Sequence, residues 1–131
     1  MSAALQIHDE TSDGRRTATT TLNLATERVT AREVLRRRIE QEVEAFNRAP
    51  PEVFHGLVQP TDTERVLNGY RLREPRLLDA REQVASAERA FERNGFLMLV
   101  GERQVEELDE EIVITPGLSV TFLRLVPLVG G

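Results

Sequence analysis

Asp13-Gly14 constrains this chain most, because it lies between two stretches of strand pattern and both positions tolerate the positive φ of a tight hairpin turn. On one side Leu5 and Ile7 alternate with polar neighbours, which predicts a strand from Ala4 to Glu10. On the other, Thr17 to Leu24 is rich in β-branched threonine, with Leu22 and Leu24 on one face. A helix follows. Thr30-Ala31-Arg32-Glu33 is a capping box, in which the Thr30 hydroxyl accepts from the Glu33 amide and the Glu33 side chain reaches back. Ala31, Leu35, Ile39, Val43 and Phe46 then form one apolar stripe, ending near Asn47 ahead of Pro50-Pro51.

From Arg48 to Gly95 the pattern changes. After a proline-containing loop, Thr61 and Glu64 suggest a short helix over Asp62 to Asn68, and Gly69 and Pro75 mark turns. A clearer helix is opened by Asp79 with Glu82 three residues on. It carries Ala80, Val84, Ala87 and Phe91 on one face and is stopped by Asn94-Gly95. The last third reads as strands: the apolar run Phe96 to Val100, a turn at Gly101, a short strand at Gln104-Val105, Ile112 to Ile114, and Ser119 to about Val126 after Pro116-Gly117. Pro127 limits further pairing because it has no amide donor.

Composition narrows the chemistry. With 131 residues and no cysteine, the chain reads as a single domain with no disulfide, thiol nucleophile or cysteine-based zinc site. His8 and His55 are the only histidines and have no metal-ligand spacing, so neither a metal site nor a catalytic residue is expected. The acidic run Glu106-Glu107-Leu108-Asp109-Glu110-Glu111 lacks the spacing of a calcium loop and reads as a solvated connection. A net charge of −5 argues against nucleic acid as a partner. Arg36-Arg37-Arg38, interleaved with Glu33, Glu40, Glu42 and Glu44, reads as a solvated, ion-paired helix face. No run approaches membrane-spanning length, and Met1-Ser2-Ala3-Ala4 does not open a signal peptide, so a soluble cytoplasmic protein with no membrane partner is expected.

Two features point to a chemical role for the tail. The sequence closes on Gly130-Gly131, and two residues without a Cβ can thread a narrow channel into a nucleotide site, where a carboxylate is adenylated and captured by a thiol. All 17 basic side chains are arginine. A chain without lysine cannot conjugate to its own side-chain amines; arginine-favouring codon usage is the alternative explanation.

Hairpin, helix, strand, short strand, final strand and diglycine tail is the element order of the ubiquitin-like β-grasp fold. Leu97-Met98-Leu99-Val100-Gly101-Glu102-Arg103-Gln104-Val105-Glu106 resembles ubiquitin's third strand, its glycine turn and its short fourth strand. Two departures are visible. Val126-Pro127-Leu128-Val129 stands where ubiquitin has arginines, closer to the tails of prokaryotic sulfur carriers, and a largely helical insertion occupies about 48–95. The whole chain is most similar to bacterial ubiquitin-like modifiers encoded with an activating enzyme, a conjugating enzyme and a JAB-type isopeptidase, some of which serve antiphage defence.

That resemblance implies an α+β fold, a mixed sheet with a helix packed on one face, and a tail over about 127–131. It also implies a substrate of enzymes rather than an enzyme. The Gly131 carboxylate would be adenylated, passed as a thioester and conjugated to target amines, with Gly130, Val129, Leu128, Pro127 and Val126 read by the activating enzyme. The chain itself would hold no cofactor, since ATP is used by the activating enzyme. A sulfur carrier ending in a thiocarboxylate and a plain β-grasp interaction module are the alternatives.

Overall fold

The computed structural model describes residues 2–67 and 69–125. The chain opens with β1 (Ala3–Thr11) and β2 (Arg16–Leu24), joined at the expected turn. Gly14 sits at φ 90°, where a side chain would be strained, and its N–H donates to the Thr11 carbonyl at 2.9 Å. A short β3 (Arg28–Thr30) leads into α1 (Ala31–Arg48). Thr30 caps α1 as its sequence requires, its hydroxyl accepting from the Glu33 N–H at 3.2 Å. The Ala31 and Arg32 N–H groups, also without helical partners, donate to the Glu110 and Leu108 carbonyls at 2.9 and 2.8 Å. The acidic run is therefore folded against the start of α1 rather than being only a solvated connection.

The region 48–95 is less helical than its sequence suggests. It holds β4 (Val53–Phe54), β5 (Thr63–Val66), β6 (Gly69–Leu72) and one helix, α2 (Ala80–Glu92). The three strands form their own sheet in the order β4-β6-β5. The helix expected over Asp62 to Asn68 is replaced by β5 and its turn. Asp62 adopts φ 54°, a left-handed conformation that cannot start a helix, and β5 pairs with β6 from Thr63↔Leu72 to Val66↔Gly69. The Thr63 hydroxyl, buried, donates to the Pro60 carbonyl at 2.7 Å instead of supporting a helical turn. α2 matches expectation. The Asp79 carboxylate accepts from the Arg81 N–H at 2.8 Å, and Asn94 takes the left-handed position that ends the helix.

The remaining strands are β7 (Phe96–Val100), β8 (Arg103–Gln104), β9 (Glu111–Val113) and β10 (Ser119–Arg124). A five-stranded mixed sheet runs β2-β1-β10-β7-β8, and β3 pairs with β9 separately. The fold is α+β. β10 lies at the centre, parallel to β1 with Ile7↔Val120 and Asp9↔Phe122, and antiparallel to β7 with Phe122↔Met98. Alternate residues of each strand, Leu5 and Ile7, Leu22 and Leu24, Val120 and Phe122, Phe96 and Met98, enter one core with the α1 stripe. Phe54, Leu57, Leu78, Ala87 and Phe91 join that core from 48–95, and α2 lies against α1. No helix among the described residues is long and apolar enough to cross a membrane.

Candidate functional site

Val126, Pro127, Leu128, Val129, Gly130 and Gly131, the residues on which the sequence places the chemistry, all lie outside the described residues. What the structure defines is the root from which they continue. β10 ends at Arg124, at the same end of the sheet as the β1–β2 turn. There the Ser12 N–H donates to the Arg124 carbonyl at 2.9 Å. The Arg124 side chain turns to the insertion, its Nη2 donating to the Gly56 carbonyl at 2.8 Å. Gly56 is confined for a physical reason: a Cβ there would run into the Phe54 ring and stand 2.6 Å from Glu42 Oε2.

Behind this contact is a buried polar network. The Leu57 N–H donates to Glu42 Oε2 at 2.9 Å, and Arg38 Nε donates to Glu42 Oε1 at 2.8 Å. Arg38 also grips Asp9 with both terminal nitrogens, Nη2 to Oδ2 at 2.8 Å, while its guanidinium lies 4.5 Å from the centre of the Phe122 ring. β1, α1 and the 55–57 loop are thus tied together through three polar side chains, Asp9, Arg38 and Glu42, with β10 joined through the Phe122 ring. Burial alone would lower the Arg38 pKa, but the Glu42 and Asp9 carboxylates outweigh it and hold the guanidinium firmly charged. Burial pushes the Glu42 carboxyl up, and Arg38 offsets this only in part.

Sequence reasoning missed this network because it took Arg36-Arg37-Arg38 as one solvated face. Arg36 is exposed and Arg37 pairs with Glu40 and Glu44 at 3.8 and 3.5 Å, but Arg38 is 8% exposed. The signal was available. Arg38 lies four residues after Val34 and three after Leu35, on the buried stripe itself.

A cleft of ≈ 620 Å³ opens beside the tail root, between the β1–β2 turn and the β5–β6 hairpin. Arg15, Arg65 and Arg124 line it, with Tyr70, Leu67 and Leu125. Among the described residues none of these arginines has a carboxylate within 4.0 Å, although Arg15 lies near enough to Asp13 to help hold that carboxyl charged, and the Asp9 carboxylate that lines the cleft is held by Arg38. Leu67, at the hairpin tip, is 95% exposed. In a chain of net charge −5 this is a basic, partly apolar surface suited to an acidic protein segment. His55 lines it, while His8 is buried and shares a 3.0 Å hydrogen bond with Thr19. Among the described residues no group of three or more His, Cys, Asp or Glu side chains is placed to hold a metal. No protein-family model, curated protein or solved structure matches the chain.

Proposed function

We propose that the chain is a ubiquitin-like β-grasp modifier acting in the cytoplasm, a substrate of conjugating machinery rather than a catalyst. The observation carrying this reading is the sheet order β2-β1-β10-β7-β8, with β10 central and parallel to β1 and α1 over one face. It agrees with the element order of the resemblance. It also means that the residues after Arg124 continue from a strand held on both sides, so an extended tail can be offered to an enzyme without disturbing the core.

The Gly131 carboxylate attacks the α-phosphate of ATP on an activating enzyme, releasing pyrophosphate. An enzyme cysteine takes the acyl group as a thioester and releases AMP, and a target amine displaces the thiolate to give an isopeptide bond. The chain has no cysteine, so every thiol comes from a partner. Gly130 and Gly131 keep the reactive end slim, while Leu125 to Val129 would lie extended along the enzyme channel, gripped through main chain and apolar pockets. A conjugating enzyme, a JAB-type isopeptidase and target proteins complete the set of partners, and antiphage defence is the proposed setting.

Mass spectrometry on the protein from its native cells tests this. Trypsin cutting after Arg124 is expected to leave Leu-Val-Pro-Leu-Val-Gly-Gly on target lysines, with the unconjugated chain ending at Gly131. A C-terminal oxygen-to-sulfur exchange in the intact mass identifies a sulfur carrier instead. Neither product in cells that express the protein refutes both activities and leaves an interaction module.

A further inference from the structure

The two edges of the five-stranded sheet are finished differently. At one edge β8 is two residues long, leaving little backbone for a foreign strand to pair with. At the other, β2 runs nine residues, and no strand among the described residues covers its outer side. From Thr17 to Leu24 it contains neither a charge nor a proline, and its bulge lies only at the turn end, opposite Asp9 and Glu10. The devices that blunt a sheet edge are missing along this stretch.

One contact fixes which groups are free. Gln41 on α1 reaches over the edge, its Nε2 donating to the Thr21 carbonyl at 3.3 Å, so that carbonyl faces away from β1. In an antiparallel strand a residue's N–H and C=O point to the same side, and the side alternates along the chain. Thr19, Thr21 and Asn23 therefore present both groups outward, while Thr20 and Leu22 bond to Ile7 and Leu5. A cleft of ≈ 460 Å³ lined by Ala18, Thr20 and Leu22 of β2 and by Gln41, Ala45 and Phe46 of α1 borders the edge.

We propose that the protein self-associates through β2, two copies pairing antiparallel about a two-fold axis at Thr21. The strand is its own complement. In this register Thr21 meets Thr21 and Thr19 meets Asn23, and every outward N–H and C=O of the unbulged stretch finds a partner, about six backbone hydrogen bonds in all. Small hydroxyl and amide side chains stand opposite each other with no like charges. The partner's Thr21 N–H takes the place of Gln41 on the Thr21 carbonyl. β10 is two strands away from this edge, so pairing leaves the tail root open, and the inference is independent of the proposed modifier activity.

Sedimentation equilibrium of the full chain tests it, with single substitutions at exposed Thr21. The wild type is expected to dimerise with a Kd of order 1–100 μM. Thr21→Arg and Thr21→Glu each set like charges face to face and weaken association by about tenfold or more, whereas a one-to-one mixture of the two recovers it as a heterodimer. Amide exchange at Thr19, Thr21 and Asn23 should slow with rising concentration while that at Thr20 and Leu22 does not change. Because recovery in the mixture requires two folded variants, misfolding cannot imitate it. A wild type that stays monomeric to about 0.5 mM overturns the proposal. Association that Thr21→Arg leaves unweakened, or that the mixture fails to restore, overturns it as well.

Discussion

Replacing Arg38 with methionine removes the cation at the centre of the buried network and keeps most of its volume. The side chains of Arg38, Asp9 and Glu42 are 10%, 16% and 17% exposed, so the two carboxylates would be left facing each other with little water. Breaking a buried pair by deleting one partner costs about 3–5 kcal/mol, because the surviving charge remains desolvated. The contact with the Phe122 ring is lost too, but methionine packs against an aromatic and offsets part of it. With an unfolding entropy of about 2.1 cal/mol/K per residue, roughly 0.28 kcal/mol/K for this chain, the melting midpoint should fall by about 11–18 °C.

The pH dependence follows from Glu42. Its carboxyl is already raised by burial, and losing Arg38 raises it further. A group whose folded-state pKa lies above its unfolded value contributes stability that is complete below the unfolded value and lost as pH rises through the folded one. Arg38→Met should therefore be least damaging in acid and most damaging near neutrality. Urea denaturation at pH 4.5 and pH 7 measures both limbs. Adding Asp9→Asn and Glu42→Gln to Arg38→Met should recover much of the loss at neutral pH, since no buried charge then remains. A loss under about 1 kcal/mol at pH 7, the range of a solvated pair, would refute the buried network.

Gly56→Ala should destabilise by about 1–3 kcal/mol in urea denaturation, because the added methyl forces the Phe54 ring and the Glu42 carboxylate aside; an unchanged midpoint would show that the 55–57 loop yields freely. Glu110 accepts from the N–H groups of Glu106 and Glu107, which hold its carboxyl below the usual carboxylate range. Its share of stability is present above the unfolded value and lost as pH falls through the lowered folded value, so the protection of those two amides, their slowing relative to an unstructured chain at the same pH, should fall only in strong acid, and Glu110→Gln should remove that dependence. Arg65→Glu combined with Leu67→Asp alters only exposed side chains of the tail-root cleft and should leave stability within about 0.5 kcal/mol. On the modifier reading it should slow adenylation of the tail by about tenfold or more in pyrophosphate exchange, and unaltered exchange would remove the cleft from enzyme recognition.

Elements with a local signature were legible in the sequence. The Asp13-Gly14 hairpin, α1 with its Thr30 cap, α2 with Asp79, and β7 all stand within a residue or two of where their pattern places them, because each depends on neighbours a few positions away. β4, β5 and β6 were not legible. They are two to four residues long, and the Thr61–Glu64 spacing imitates a cap whose helix the positive φ of Asp62 forbids. β3 and β9 pair three residues across a separation that no local window spans. The tail root was hidden for the same reason. Asp9 meets Arg38 across 29 positions and Gly56 meets Arg124 across 68, so a charge run and a loop glycine gave no local sign of their partners.

The arrangement of these long-range contacts has a physical logic. Parallel pairing of the first and last strands places β10 where it cannot slip by one residue without turning Val120 and Phe122 out of the core. Such register control ends with the strand at Arg124, where the chain would otherwise leave the sheet at an undetermined angle. Asp9, Arg38 and Glu42 add directional constraints at that point, since each hydrogen bond fixes the position of one element against another. Through Gly56 the insertion loop then holds the last described arginine. An apolar cluster of equal volume would tolerate small shifts of that loop; a saturated ionic one does not, and among the described residues no buried side-chain polar atom is left without a partner. The insertion thus fixes the position of Arg124 at the end of β10 and places a basic, leucine-tipped surface beside it; on the modifier reading, an enzyme that takes the residues after Arg124 would meet that surface as well.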